Sequence, residues 1–291
     1  MSGHTLFPYS AAELDAFRQA QRLAYDIAVK VEEQLQIGMT EAEVCTLIAA
    51  AQAQNDVIQV FHEPFAWFGS RTVLGADWAP DVTDVEEMPA TGVNPSTPFF
   101  PTDQLLADGM PLILDLAPVV RGISSDIGYS CRLGRNAVFD ELDAGLAHIR
   151  TFLLEGIRSG ETMLSLYGAL DDLIDEHGWQ NCHQHDPDRA LGHIVFPLRH
   201  DPTHPSRIPG FGPAAAEGLL AAGLEALEKG TGYPVWNDSS FTDYPAAPGL
   251  WAVEPHIGRD GVGVKFEELL VVTGDDAYWL DDHLPHILRW A

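Results

Sequence analysis

Apolar residues recur at helical intervals through Leu14, Phe17, Leu23, Ile27, Val31 and Leu35, and Ser10-Ala-Ala-Glu13 just ahead of them has the spacing of a capping box. The pattern predicts a long amphipathic helix from Ser10 to about Gly38. A second box, Thr40-Glu-Ala-Glu43, opens a helix through Val44, Leu47 and Ile48 that fades near Asn55. From Val57 to Leu74 the chain turns β-branched and aromatic, which predicts strands. Residues 76 to 111 are rich in Pro, Asp and Thr and predict an irregular excursion. Leu112-Ile-Leu-Asp-Leu-Ala117, a turn near Arg121-Gly122 and the stretch Ile123 to Leu133 together predict a hairpin.

The order then repeats. Helices are expected from about Phe139 to Ser159 and from about Met163 to His177, and Ile37-Gly-Met-Thr40 has a loose counterpart in Ile157-Arg-Ser-Gly-Glu-Thr162. Two halves, each of paired helices followed by strands, are suggested. Residues 201 to 248 form a second Pro/Gly-rich excursion with a short Ala/Leu-rich helix at about 213 to 228. Leu250 to Pro255 and Gly263 to Thr273 are strand-like and close the pattern. No linker separates independent units, so residues 1–291 are expected to form a single domain, with no separate N-terminal domain.

Composition narrows the function. With 291 residues, 46% of them hydrophobic, the chain can bury a substantial core. Its net charge of −27, from 43 acidic and 16 basic residues, disfavours nucleic acid and anionic membrane surfaces as partners. Most of those carboxylates are expected on a solvated surface. Cys45, Cys131 and Cys182 lie far apart without paired metal spacing, which argues against a disulfide framework. Met1 to Tyr9 lacks a basic region followed by an apolar stretch, and no run reaches membrane-spanning length. A soluble, cytoplasmic protein is expected.

Five stretches place polar chemistry in or beside apolar runs. Asp115 interrupts a strand, where an ionised carboxylate needs a cationic partner. If the loop at Val120 to Gly122 is a two-residue turn, alternation puts Asp126 on the same face as Asp115. His193 and His200 lie in Gly192-His-Ile-Val-Phe-Pro-Leu-Arg-His200, and Glu254 ends the apolar run Leu250-Trp-Ala-Val. Glu267 and Glu268 are adjacent in a strand, so one should face inward. Separately each has a plain alternative: a strand end, a turn or cap residue, a core histidine. Together, carboxylates and an imidazole suit two divalent ions of Mn, Fe, Co or Zn rather than a thiolate site. Two metals sharing bridging carboxylates can hold a hydroxide and polarise a carbonyl.

In this order the motifs resemble the superfamily of methionine aminopeptidases, prolidases, aminopeptidases P and creatinases, over about residues 10 to 275. The entry phrase Ile37-Gly-Met-Thr-Glu-Ala-Glu-Val44 is similar to the family's approach to its second helix. The resemblance implies an α+β pita-bread fold, with two pseudo-symmetric αα-plus-strand halves around a curved antiparallel sheet. It implies metal ligation by Asp115, Asp126, His193, Glu254 and Glu267, with Asp126 and Glu267 bridging. Asp115 would complete one site, and His193 with Glu254 the other. Glu254 would also shuttle protons and His200 would contact the substrate carbonyl. Lys265-Phe-Glu-Glu268 resembles the family's Arg-hydrophobic-Glu-Asp. A family-like homodimer is the assembly implied.

Three departures bear on substrate. Gly192-His-Ile-Val-Phe196 replaces the family's glycine-rich surroundings of the ligand histidine, bringing Phe196 beside the metals. Asp126 is followed by Ile127-Gly128 where the peptidases usually have hydrophobic-Thr. No histidine lies between His62 and His148, although peptidase members place a substrate-binding histidine ahead of the first aspartate. His62 can substitute for it, or it is a surface or capping residue. Phe211, Tyr233, Trp236, Phe241 and Tyr244 are candidate lid residues, Trp236 among the substrate contacts, or simply loop packing. Three readings follow: a metallopeptidase for short peptides, of aminopeptidase or Xaa-Pro dipeptidase type; a metal-dependent enzyme of the same fold for a compact non-peptide molecule, such as a creatinase-like hydrolase, lyase or iron-dependent oxidoreductase; and a metal-free binding module.

Overall fold

A computed structural model of the chain describes residues 8–55, 57, 59–74, 99–198 and 233–291, with 218, 221, 223, 224 and 228. In chain order the first half contains α1 (Ala11–Glu32), α2 (Glu41–Gln54), β1 (Gln59–Val60), β2 (Phe65–Phe68), β3 (Pro111–Leu116), β4 (Pro118–Val120), β5 (Ile123–Ser124) and β6 (Ile127–Arg132). The second contains α3 (Ala137–Arg158), α4 (Met163–Glu176), β7 (Gln180–Asn181), β8 (Gly192–Val195), β9 (Val235–Trp236), β10 (Gly249–Val253), β11 (His256–Arg259), β12 (Val262–Lys265), β13 (Glu268–Val272), β14 (Ala277–Trp279) and α5 (Pro285–Trp290).

The expected repeat is present in the helices and again in the hairpins. Helices α1 and α3 each span 22 residues, and α2 and α4 each span 14. Both capping boxes form: Ser10 and Thr40 each accept from the backbone of a glutamate three residues on, whose carboxylate accepts from the cap backbone in return. The first helix ends at Glu32 rather than near Gly38, because tight turns carry its apolar spacing on to the buried Leu35. Thr40, ahead of α2, bridges Leu105, and Thr162, ahead of α4, bridges Pro245. Each helix pair buries its apolar stripe against its own strands. Tyr25, Ile27, Val44 and Ile48 pack with Leu112, Leu114 and Ile127; Leu146, Ile149, Leu166 and Leu170 pack with Trp251, Val253 and Leu270.

The hairpin of each half is long and broken in both arms. In the first, β3 pairs with β6 and β2, and the tip strands β4 and β5 pair in a separate sheet with β1. In the second, β10 pairs with β13 and β8, and the tip strands β11 and β12 pair in a separate sheet with β7. Both tips turn through two residues of positive φ, Arg121-Gly122 at 53° and 79° and Asp260-Gly261 at 53° and 76°. Such turns match the right-handed twist of the strands they join. The halves meet where Tyr129 bridges Phe266 and where the Ser130 hydroxyl donates to the Lys265 carbonyl and accepts from its N–H. Among the described residues no helix is long and apolar enough to cross a membrane.

Candidate metal centre

Three of the four acids stand at the breaks in the two hairpins. Asp126 lies between β5 and β6, Glu254 between β10 and β11, and Glu267 between β12 and β13. A residue at such a break leaves the ladder, so its side chain is free to turn toward the space between the halves. Asp115 lies within β3, opposite Gly128 of β6 and Phe65 of β2, and this register puts Asp115 and Asp126 on one face. His193 lies in β8 opposite Ala252, two residues before Glu254. Of the adjacent pair, Glu267 faces this cluster, whereas Glu268 turns to Arg150 and His286 at 2.9 and 2.8 Å.

The donor atoms form two groups that share Asp126. His62 Nε2 lies 3.0 Å from Asp126 Oδ1 and 3.2 Å from Asp115 Oδ1. His193 Nε2 lies 3.4 Å from Asp126 Oδ2 and 3.8 Å from Glu267 Oε1. Each trio, His62 with Asp115 and Asp126, and Asp126 with His193 and Glu267, brings its ligand atoms close enough together to hold an ion. A cation about 2.0–2.2 Å from nitrogen and oxygen ligands sets neighbouring ligands roughly 3–3.5 Å apart, which these separations approach.

Lys265 is buried among three of the acids. Its Nζ donates to Asp115 Oδ2 at 2.8 Å and Glu254 Oε2 at 3.0 Å, and lies 3.4 Å from Glu267 Oε2. Gly128 makes room for it: a Cβ there would lie 2.4 Å from Lys265 Cε and 2.9 Å from Cδ. The glycine in place of the peptidases' threonine is thus paired with the lysine stem. Gly128→Ala is expected to cost about 1–3 kcal/mol through overpacking of a stem anchored by carboxylates. Equilibrium denaturation checks this, and unchanged stability would contradict the fit.

Electrostatics separate this cluster from the other buried acids. Glu41, Asp143, Glu268 and Asp281 each have an arginine: Arg71 at 2.8 Å, Arg289 at 2.6 Å, Arg150 at 2.9 Å, and Arg22. Among the described residues Asp115, Asp126, Glu254 and Glu267 share one lysine and two imidazoles. Burial raises the pKa of Glu267 well above the carboxylate range, and the charges of Asp126 and Glu254 add to the rise. Burial opposes the charge on Lys265, but Asp115, Glu254 and Glu267 outweigh it and raise its pKa. At His62 burial is likewise outweighed, by the Asp126 charge and by hydrogen bonds to Asp115 and Asp126. A proton or a metal ion must therefore offset the excess negative charge, and the donor set fits a divalent ion.

Sequence reasoning missed Lys265 as a member of the cluster, and also Asp186. That buried carboxyl has an Oδ2 with no hydrogen-bond partner among the described residues. Burial raises its pKa well above the usual range; Lys265 pulls it down, and Glu254 and Asp115 push it further up. A single aspartate in a polar stretch, His183-Gln-His-Asp186, carries no signal that it is buried.

Trp236 is corrected. It is fully buried with the α3 and α4 core, and its indole N–H donates to the Met163 carbonyl at 2.7 Å, because β9 pairs with β8 and draws the ring inward. Tyr233, Phe241 and Tyr244 are exposed. Phe196 is buried with Phe61, Ile194 and Leu198, and the Phe61 ring stacks on His193 with centroids 5.5 Å apart. His200, Phe211 and most of the expected helix at 213 to 228 lie outside the described residues.

Two αα-plus-strand halves, with three acids at the breaks of matched hairpins and two imidazoles facing them, define a pita-bread protein with a candidate metal centre. The model of metallopeptidase family M24 matches residues 15–274, and the chain belongs to that family. Among solved structures it is similar to an X-Pro aminopeptidase from Thermotoga maritima (15% identity, TM-score 0.58, covering 94% of this chain and 61% of that one). It is also similar to a prolidase from Pyrococcus horikoshii (14%, 0.59, 96% and 65%) and a methionine aminopeptidase from Rickettsia prowazekii (13%, 0.57, 95% and 99%). The chain thus spans under two thirds of the length of the first two. None of the curated proteins compared with it matches significantly.

Proposed function

We propose that the chain is a metal-dependent hydrolase, of aminopeptidase or Xaa-Pro dipeptidase type, that binds two divalent cations and acts on a compact substrate. The observation that carries this reading is the pair of ligand trios joined through the two oxygens of Asp126. Bound divalent ions supply Lewis acidity and make water a nucleophile near neutral pH. The chain's own residues do the rest. Lys265 fixes one oxygen of each of Asp115, Glu254 and Glu267, so their other oxygens keep their aim. Glu254 is the least buried of the four acids, with 14% of its side chain exposed, and is assigned to carry the proton between water and leaving group. Mn, Fe, Co and Zn all accept this mixture of oxygen and nitrogen donors.

Compactness follows from the wall beside His193. Phe61 and Phe196 pack edge to face at 6.4 Å, and a Cβ on Gly218 would lie 2.0 Å from the Phe196 ring. Gly218 of the second excursion therefore lies against this aromatic wall. The Lys265 stem against Gly128 also favours the second reading, a small non-peptide substrate, since no hydroxyl stands there to meet a peptide amine. The test compares metal-loaded protein on methionyl peptides, Xaa-Pro dipeptides and small amidino or amino acids. Turnover of the short or small substrates is expected. A kcat/KM near or above roughly 10⁴ M⁻¹s⁻¹ on long unblocked peptides, the lower end of ordinary enzyme efficiency, would contradict the compact pocket.

A further inference from the structure

His62 and His193 are set by the same local device. His62 Nδ1 lies 2.7 Å from the carbonyl oxygen of Glu63, and His193 Nδ1 lies 3.2 Å from the carbonyl oxygen of Ile194, in each case the next residue. A ring nitrogen facing a carbonyl oxygen carries the hydrogen and donates it, which leaves Nε2 of the neutral ring as a lone pair. Metal-binding histidines are oriented in this way. Each Nε2 then faces a different oxygen of Asp126, His62 toward Oδ1 at 3.0 Å and His193 toward Oδ2 at 3.4 Å. A lone pair aimed at carboxylate oxygens is repulsive unless a proton or a cation lies between them.

We infer that His62 is a metal ligand, which with Asp115 and Asp126 holds one cation while Asp126, His193 and Glu267 hold the other, so that each ion has one imidazole. The inference rests on the metal-hydrolase reading and adds to it a ligand outside the set implied by the family pattern. The ring of His62 is buried and stacks on Phe65 with centroids 5.1 Å apart and planes 11° from parallel, so it is held in place. Lys265 occupies Asp115 Oδ2, whereas Asp115 Oδ1 faces His62, and this divides the carboxylate between the fixed ammonium and the ion. A nitrogen donor on both ions shifts preference from manganese toward the later metals of the series, cobalt and zinc.

The test is X-ray absorption on the full chain loaded with Zn²⁺ alone, counting imidazoles by their outer-shell scattering, in the parent and in His62→Gln. The parent should show about one imidazole or more per zinc, and His62→Gln should lower the average by about one half. One of the two zinc affinities should also fall by at least about tenfold in that variant. A count that His62→Gln leaves unchanged while both zincs remain bound would overturn the ligand assignment while keeping the metal centre. If the variant does not fold, the parent spectrum decides by itself: about one imidazole for every two zincs overturns the assignment. A parent chain that takes up no zinc overturns both the assignment and the metal-hydrolase reading.

Discussion

Glu254→Gln is expected to slow turnover of the true substrate on the order of a hundredfold or more, the scale on which loss of a general acid or base acts. The amide keeps the shape of the side chain, and its oxygen can still accept from Lys265 Nζ, which lies 3.0 Å from Glu254 Oε2. Lys265 also retains Asp115 and Glu267, so the fold should survive. What is lost is basicity, at the most exposed acid of the cluster. Steady-state kinetics under saturating metal, with a thermal melt alongside, separate chemistry from folding. Unchanged turnover in a folded, metal-loaded variant would remove Glu254 from the reaction.

Lys265→Met is expected to destabilise the metal-free protein by roughly 3–5 kcal/mol, the cost of removing one partner from a buried ionic cluster. The ammonium is buried, with three carboxylates within 3.4 Å, and the thioether that replaces it fills the stem but offers no charge. The excess negative charge then falls on Asp115, Glu254 and Glu267, which repel one another unless they take up protons. Divalent metal supplies positive charge to the same acids, so the gap between parent and variant should narrow on adding zinc. Urea denaturation with and without metal measures both effects. Equal stability of parent and variant without metal would show that Lys265 does not hold the cluster together.

The halves, the caps and the first hairpin are legible because their signals are local: apolar spacing, a capping box, a two-residue turn. Asp115 and Asp126 could be put on one face by counting from the Arg121-Gly122 turn, and the register agrees. The strand breaks that turn Asp126, Glu254 and Glu267 inward were not visible, because a break depends on which strands lie alongside. Lys265 was read only as part of a motif. Its meaning depends on Gly128, a residue distant in sequence that reaches it only when the two hairpins meet at Tyr129 and Phe266. Trp236 misled for the opposite reason: an aromatic in a Pro/Gly-rich stretch reads as surface cover, whereas pairing of β9 with β8 carries it into the core. His62 was ambiguous in sequence because nothing near it, in Val60-Phe-His-Glu-Pro64, signals that its imidazole meets Asp115 and Asp126.

Metal content decides whether the two ligand trios hold ions. The purified chain, stripped with chelator and reloaded with zinc or manganese at micromolar free concentration, is dialysed and its metal measured by elemental analysis against protein concentration. About two divalent ions per chain are expected, one on each side of Asp126. A chain that retains its fold and binds no metal under these conditions would contradict that expectation.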